Sequence, residues 1–465
     1  MGAHVSRAAL ALVAVLVLGG CGAKKLAKQG ETFLTEGRTT HAARCYRKAC
    51  EKRPSKSSFQ LGYARALLAD GHPDDAVAPA RRALAEEEDG AAALLIEALV
   101  RTGQVDEARA LIKVALEAQP ANPDFLELSA REFLVRGQPR QAVVAMKKVV
   151  EIEPTGPRIA YLAWLFARAG EMPRALEAAE RAFATQTDDV AALGDVAAVF
   201  LLGERAAQRK DTVRELQSHG AEVLEQWTEQ AGRAQQVGDQ EGALRAMTIS
   251  VAMRPDDGEN QGLLGQMFLA RGEFARAIQF LESALQTDVY RVSWEQANSY
   301  DEDNAVHTMG FENEAAASFC HALASAHEQA GHKPQAAAAM RASLLIGGND
   351  APDLWLEVAR LYADAGDKKA AAHAAHYAYG KDARHPGALV FLMQLYASVG
   401  DAQQAIGYGR MAWQVVPGDP LVALTLGDLY ERRNEALAAR ELYVIALQQH
   451  PDVGALRAAL HRIEN

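Results

Sequence analysis

A turn residue followed five positions later by alanine recurs along almost the whole chain, and no other feature restricts the fold as much. The turn positions are Gly37, Gly71, Gly103, Gly137, Gly170, Gly203, Gly238, Gly272, Gly331, Gly366, Gly400 and Asn434. Their spacings are 34, 32, 34, 33, 33, 35, 34, 59, 35, 34 and 34 residues. The partners are Ala42, Ala76, Ala108, Ala142, Ala175, Ala243, Ala277, Ala336, Ala371, Ala405 and Ala439; only the Gly203 unit differs, with Gln208. Alanine supplies 93 of 465 residues, and a background of one in five does not place it at eleven sites of twelve by accident. Seventeen residues after the turn, proline appears six times, as Pro54, Pro120, Pro154, Pro255, Pro417 and Pro451.

Each residue type in this pattern has a physical reason. A period near 34 leaves room for two helices of about 14 residues, each marginal alone in water. Glycine ends the first helix by accepting a left-handed backbone that a Cβ would penalise. Alanine lets the second helix approach the first closely. Proline closes the unit because it cannot continue a helix interior. A lone helix pair leaves apolar surface exposed, so the units must stack to bury it.

The pattern resembles the tetratricopeptide repeat, a 34-residue helix–turn–helix unit. The last unit carries the likeness best, with Leu426-Gly427, Tyr430, Ala439, Tyr443 and Pro451; Trp355, Ala359 and Tyr362 match around Gly366, and Trp227 and Ala231 around Gly238. The resemblance spans about residues 23–464 and implies an all-α solenoid of about 11–12 units, with Arg457 to Ile463 in a capping helix.

Composition agrees and narrows the classes. The chain is 49% hydrophobic and carries only 30 aromatic residues, which suits close-packed helices better than a β-sandwich. A net charge of −11 works against general nucleic-acid binding. No run of 18 apolar residues is present to span a membrane.

The first 20 residues read as a signal segment. Ala8 to Leu18 is an uncharged run of 11, long enough for a signal-peptide core and too short to cross a bilayer. It ends in Leu18-Gly19-Gly20-Cys21, which resembles the lipobox of bacterial lipoproteins. That resemblance implies a lipidated Cys21 (palmitate among its acyl chains) at the new N-terminus and anchorage in the membrane. Gly22 stands where aspartate retains inner-membrane relatives, which implies the bacterial outer membrane and its periplasmic face. A plain secretory signal and a myristoylated Met1-Gly2 start are the rival readings. Of the other cysteines, Cys45 and Cys50 sit about 7.5 Å apart along one helix axis, a poor geometry for a disulfide, and Cys320 stands alone.

Two places break the period. The second helix after Gly203 (residues 208–220) is polar and lacks a small-residue seam, which places a joint between a block at 21–222 and a block at 223–465. The spacing of 59 equals one unit plus an insert of 25, lying within 288–316 and containing Tyr290, Trp294, Tyr300 and Phe311. Insertions in solenoids fall in loops on one face, where binding often occurs. The insert reads either as a passive loop or short helix, or as a partner-contact element outside the core through Trp294 and Tyr300.

No catalytic constellation is visible: no phosphate loop, nucleophile elbow or H-E-x-x-H helix. No cofactor is implied. His373 and His376 share a helix with His385 beyond, but no third ligand has convincing spacing for a metal. A binding surface remains. In tetratricopeptide proteins the first helices line a concave groove. Carried over by register, this implies Leu61 and Arg65, Arg131 and Leu134, Tyr161 and Trp164, His321 and Ser325, and Leu356 and Arg360. Arginines beside aromatics suit a peptide or helix carrying carboxylates; alternatively Tyr161 and Trp164 pack between units. The Lys/Asn clamp of chaperone-binding relatives is absent. The expected function is a non-enzymatic, lipid-anchored scaffold for a multiprotein envelope machine, of the type IV pilus secretin, polysaccharide-export or gliding-motility kind. The alternative is an adaptor that docks a periplasmic hydrolase or protease.

Overall fold

The computed structural model describes residues 22–218, 222–298, 313–349 and 351–464, so Cys21 and Tyr300 lie outside the described residues. Every regular element among them is helical. The chain divides into two compact units, residues 1–255 and 256–465.

The first unit contains α1 (22–35), α2 (Thr39–Lys52), α3 (Ser57–Ala69), α4 (Pro73–Ala85), α5 (Ala91–Arg101), α6 (Val105–Ala118) and α7 (Pro123–Val135). It continues with α8 (Pro139–Ile152), α9 (Gly156–Arg168), α10 (Met172–Ala184), α11 (Val190–Leu202), α12 (Ala206–Ser218), α13 (Glu222–Gln236) and α14 (Gln240–Met253). The second unit holds α15 (Gly258–Ala270), α16 (Phe274–Leu285), α17 (Asp288–Asn298), α18 (Glu314–Gln329), α19 (Lys333–Ile346) and α20 (Pro352–Asp364). It ends with α21 (Lys368–Lys381), α22 (Pro386–Val399), α23 (Ala402–Val415), α24 (Pro420–Arg432), α25 (Ala436–Gln449) and α26 (Gly454–Glu464).

The turn chemistry follows the sequence closely. Ten of the repeat glycines have positive φ, between +69° and +87°, and Asn434 takes the same region at +61°. At Gly103 the N–H reaches Val100 O and the Gln104 N–H reaches Leu99 O, the paired bonds that close a helix on a left-handed residue. All eleven partner alanines are fully buried. The six prolines each stand one residue beyond the C-cap of their helix, where their missing N–H is not needed.

The sixth turn departs from the pattern. Gly203 has φ −95°, and Glu204 takes the left-handed position at +57°. Counted from Glu204, the intervals to Gly170 and Gly238 are 34 and 34, so the period is more regular than the glycines suggested. Gly203 is needed for space: a Cβ there would lie 2.7 Å from Leu176 Cδ2. The following helix, α12, buries only Thr212 and Leu216, so its polar sequence yields a thinly packed helix.

The joint expected at 222/223 lies within the first compact unit, residues 1–255, in which Arg245 of α14 pairs with Asp195 of α11. One sequence expectation needs correction: the insert is not wholly outside the core. Its first part is α17, which buries Tyr290 edge-on against Phe319 at 5.6 Å and buries Ala297 completely. Trp294 is half-buried on that helix, and Val289 and Val292 are exposed.

Candidate functional site

Within the first unit the C-terminal ends of α3, α5, α7 and α9 face α13 and the start of α14. Arg233 on α13 donates to Asp70 O at the end of α3 (3.0 Å), across 163 residues of sequence, and its side chain packs 3.2 Å from the Cβ position of Gly71. Arg101 at the end of α5 lies 3.8 Å from Asp239, the residue whose side chain caps α14 by accepting from the Gly242 N–H. Arg168 at the end of α9 pairs with Glu241 at 3.5 Å. Arg233 therefore ties α13 to the end of α3, and the ion pairs of Arg101 and Arg168 tie the start of α14 to the ends of α5 and α9.

Beside these contacts is a cavity of about 540 Å³. Its walls come from Thr39, Thr40 and Asp70 near α2 and α3, from Glu97 and Arg101 on α5, and from Arg131 and Leu134 on α7. Tyr161 and Trp164 of α9, Trp227 and Arg233 of α13, and Glu241 and Arg245 of α14 complete them. Four residues expected in the groove, Arg131, Leu134, Tyr161 and Trp164, are thus brought together. Arg65 is exposed and stands 3.7 Å from Glu31, away from this cavity, and Arg360 is exposed in the second unit.

The arginines in the cavity already have carboxylate partners from the chain itself. Arg131 reaches Glu127 at 2.8 Å and Glu97 at 3.5 Å. Arg245 grips Asp195 with Nε and Nη2 at 2.5 and 2.6 Å. Tyr161 sits between these two cations, 5.5 Å from Arg131 and 5.3 Å from Arg245. Arg131 lies deep in the unit yet keeps 34% of its side-chain surface open, as a cavity-lining group does.

Burial shapes the ionisation of each group. It pushes the Tyr161 phenol above its ordinary range, against the two guanidinium groups, so the hydroxyl stays a neutral donor. Burial also penalises the Arg131 cation, but Glu97, Glu127 and Tyr161 outweigh it and raise its pKa. Burial pushes the Asp195 carboxyl up while the Arg245 fork works against that shift.

Polar accounting leaves a specific residue. Trp164 Nε1, Trp227 Nε1 and Arg131 Nε are buried and have no hydrogen-bond partner among the described residues. Trp164 and Trp227 are 1% and 8% exposed. A buried donor left without an acceptor costs about 1–3 kcal/mol, and the burial of these three atoms closes them off from the cavity as well. Trp227 and Arg245 were not legible as site residues: Trp227 reads as a repeat-packing position, and Arg245 lies on a second helix that register assigns away from the groove.

The histidines noted in the sequence serve packing and capping. His376 Nε2 and the Tyr396 hydroxyl are 2.8 Å apart, and His385 Nδ1 accepts from the Ala388 N–H at the start of α22. Among the described residues no group of three or more His, Cys, Asp or Glu is placed to hold a metal ion, and no helix is long and apolar enough to cross a membrane.

A family model described as a tetratricopeptide repeat matches residues 28–93, 64–123 and 228–289. No curated protein matches the sequence. Among solved structures, YrrB, described as a TPR protein with an unusual peptide-binding site, is similar at 17% identity, covering 48% of this chain and 100% of that one, with a TM-score of 0.34. A thermophilic TPR protein of Thermus thermophilus is similar at 20% identity over 38% of this chain and 99% of its own, with a TM-score of 0.35. The Cut9–Hcn1 assembly matches 95% of this chain and 96% of its own chain at 12% identity, with a TM-score of 0.27. These likenesses concern the fold alone. The family match shows that the chain contains tetratricopeptide repeats at residues 28–123 and 228–289, the kind of repeat that mediates protein–protein interaction, and the repeat period, left-handed turns and buried alanines carry the same all-α helix–turn–helix pattern through the other described units.

Proposed function

We propose that this protein is a non-catalytic, lipid-anchored scaffold at the periplasmic face of the bacterial outer membrane, where it assembles or stabilises a multiprotein envelope machine. The observation that carries the reading is the joining of two features in one sequence. An apolar run of 11 ends at Leu18-Gly19-Gly20-Cys21, and a repeat array with no catalytic constellation begins directly after it. A tether at Cys21 would hold the array at the membrane, since each buried CH₂ of an acyl chain contributes about 0.8 kcal/mol. Repeat faces not used for stacking are then free to hold partners, and Arg65, Arg360 and the insert around Trp294 and Tyr300 are the candidate contacts.

Two measurements test this. Cys21→Ser should move the protein from the detergent phase to a soluble or unprocessed form; normal processing with unchanged partitioning rules out the anchor. Affinity purification from native membranes with mass spectrometry should return secretin, export or motility components. Recovery of a periplasmic hydrolase or protease as the dominant partner supports the adaptor reading in its place.

A further inference from the structure

We infer that the first helix pair, α1 and α2, is a membrane-docking surface that binds the anionic headgroups of phospholipids and so sets how the first unit stands on the bilayer; this rests on the reading of Cys21 as the lipid anchor. Three observations converge on it. The first is a reversal of charge along the chain. Residues 22–56 hold ten Lys and Arg against three Asp and Glu, a balance of +7, whereas residues 57–465 hold 38 against 57, a balance of −19. All ten cations of the first stretch except Arg53 are exposed.

The second is where these charges lie. Helix α1 begins at Gly22, the residue after Cys21, so no linker separates the anchor position from the fold. The end of α2 returns to the start of α1: Ala23 packs with Ala49, Cys50 and Phe59 in one buried cluster, and Lys52 Nζ lies 3.0 Å from the Cβ position of Gly22. Lys24, Lys25 and Lys28 of α1 and Lys48 and Lys52 of α2 therefore gather toward the anchored end, with Lys56 at the N-cap of α3 beside them. A helix rises about 1.5 Å per residue, which puts Lys24 and Lys25 within about 5 Å of Gly22 along the axis. Screening at physiological ionic strength acts over about 8 Å, so these ammonium groups feel the headgroups around an anchor at Cys21.

The third is that the lysines are open to an outside anion. The three carboxylates of the stretch are engaged elsewhere: Glu31 with Arg65 at 3.7 Å and the Tyr46 hydroxyl at 2.6 Å, Glu36 with Arg38 at 3.4 Å, and Glu51 with Arg47 at 3.8 Å. None of the six lysines pairs with a carboxylate among the described residues. A lysine ammonium is a compact charge on a flexible stem, which attracts a layer of headgroups without a fixed geometry. The sign reverses at the next unit, where Glu86, Glu87, Glu88 and Asp89 follow α4 and Glu88 accepts from the Ser57 hydroxyl at the start of α3. The same headgroups repel that acidic turn, so the first unit meets the bilayer by its first helix pair and not along its length.

The full chain with Cys21→Ser carries no acyl group, and its sedimentation with vesicles tests the surface by itself. One set of vesicles is phosphatidylglycerol and phosphatidylcholine in equal parts, the other phosphatidylcholine alone. The apolar run before residue 21 contributes to both, so the ratio of the two partition coefficients reads charge. Binding should favour the anionic vesicles at about 0.1 M salt and lose that preference at about 1 M, where screening shortens to about 3 Å. In this background Lys24→Gln/Lys25→Gln/Lys28→Gln should lower anionic binding on the order of a hundredfold, at about fivefold per lysine. Lys113→Gln/Lys148→Gln/Lys210→Gln changes net charge equally at exposed positions of α6, α8 and α12, and should leave the preference in place. Equal binding to the two vesicles, or equal losses in the two triple variants, overturns the proposal. So does a patch variant that keeps its vesicle binding and loses self-association, which makes the acidic surface of a second copy the occupant. The anchor is read separately, by detergent partitioning: no anionic preference beside an acylated Cys21 removes the docking surface and keeps the anchor, and the converse result removes the anchor and keeps the surface.

Discussion

Arg245 and Asp195 form a two-point ion pair across fifty residues of sequence, with Nε and Nη2 on the two carboxylate oxygens at 2.5 and 2.6 Å. Asp195 is 1% exposed, while Arg245 keeps 27% of its side chain open toward the cavity. The pair fastens α14 to α11 and sets one wall of the cavity. Asp195→Ala leaves a cation with little solvent and should cost about 3 kcal/mol, the lower end of the range for a broken buried pair. The Asp195→Leu/Arg245→Leu double variant should be much closer to wild type, because it removes both desolvation penalties. Chemical denaturation of the single and double variants measures the difference; equal losses would mean the pair does not act as a unit.

The alanine seam makes a second expectation. Ala371 and Ala405 are fully buried at the crossing of first and second helices. Replacing either by leucine inserts three carbons where none fit and should cost about 1–3 kcal/mol. The same change at the exposed Ala85 should be within about 0.5 kcal/mol of neutral. Urea midpoints at constant slope give the comparison.

The turns supply a third. Gly366 has φ +87°, with open space around its Cβ position, so Gly366→Ala meets only backbone strain and should destabilise by about 1 kcal/mol. Gly427 is the reverse case, with ordinary helical backbone but a Cβ position 2.4 Å from the Tyr443 ring. Gly427→Ala should destabilise by overpacking, about 1–3 kcal/mol, and Tyr443→Ala in that background should recover no stability because it empties a fully buried site. Melting curves of the three variants separate strain from crowding.

A fourth concerns pH. His327 on α18 is 5% exposed, with Glu282 and His332 beside it, and its pKa is lowered first by burial and then by His332. A depressed folded-state pKa means the folded chain resists the proton that the unfolded chain accepts. The contribution is present above the ordinary histidine range near 6.5 and is lost as pH falls through the lower folded value. The Tm should therefore drop between about pH 7.5 and 5.5, and His327→Gln should flatten that dependence. An unchanged pH slope in the variant would assign the acid sensitivity elsewhere, with His376, also lowered by burial, the next candidate.

The sequence alone determined everything set within one repeat. A left-handed residue wants glycine, so the turns were readable at Gly37, Gly71 and eight others; helices in close approach want alanine, so the seam was readable as well. The one turn misread, at Gly203, failed because glycine there provides space for Leu176 while Glu204 tolerates the left-handed backbone. Tyr290 was out of reach for a related reason: an interruption of the period reads equally as a loop, a short helix or a contact element, and only the packing of α17 on Phe319 made Tyr290 core. The tertiary structure alone decided that α13 returns to the end of α3, since the position of Arg233 against Asp70 is the sum of small rotations over several repeats. Each rotation depends on side-chain volumes at an interface, and no local rule carries that sum. It brings Arg131, Tyr161 and Trp164, expected along one groove, into the walls of a single pocket with Trp227 and Arg245.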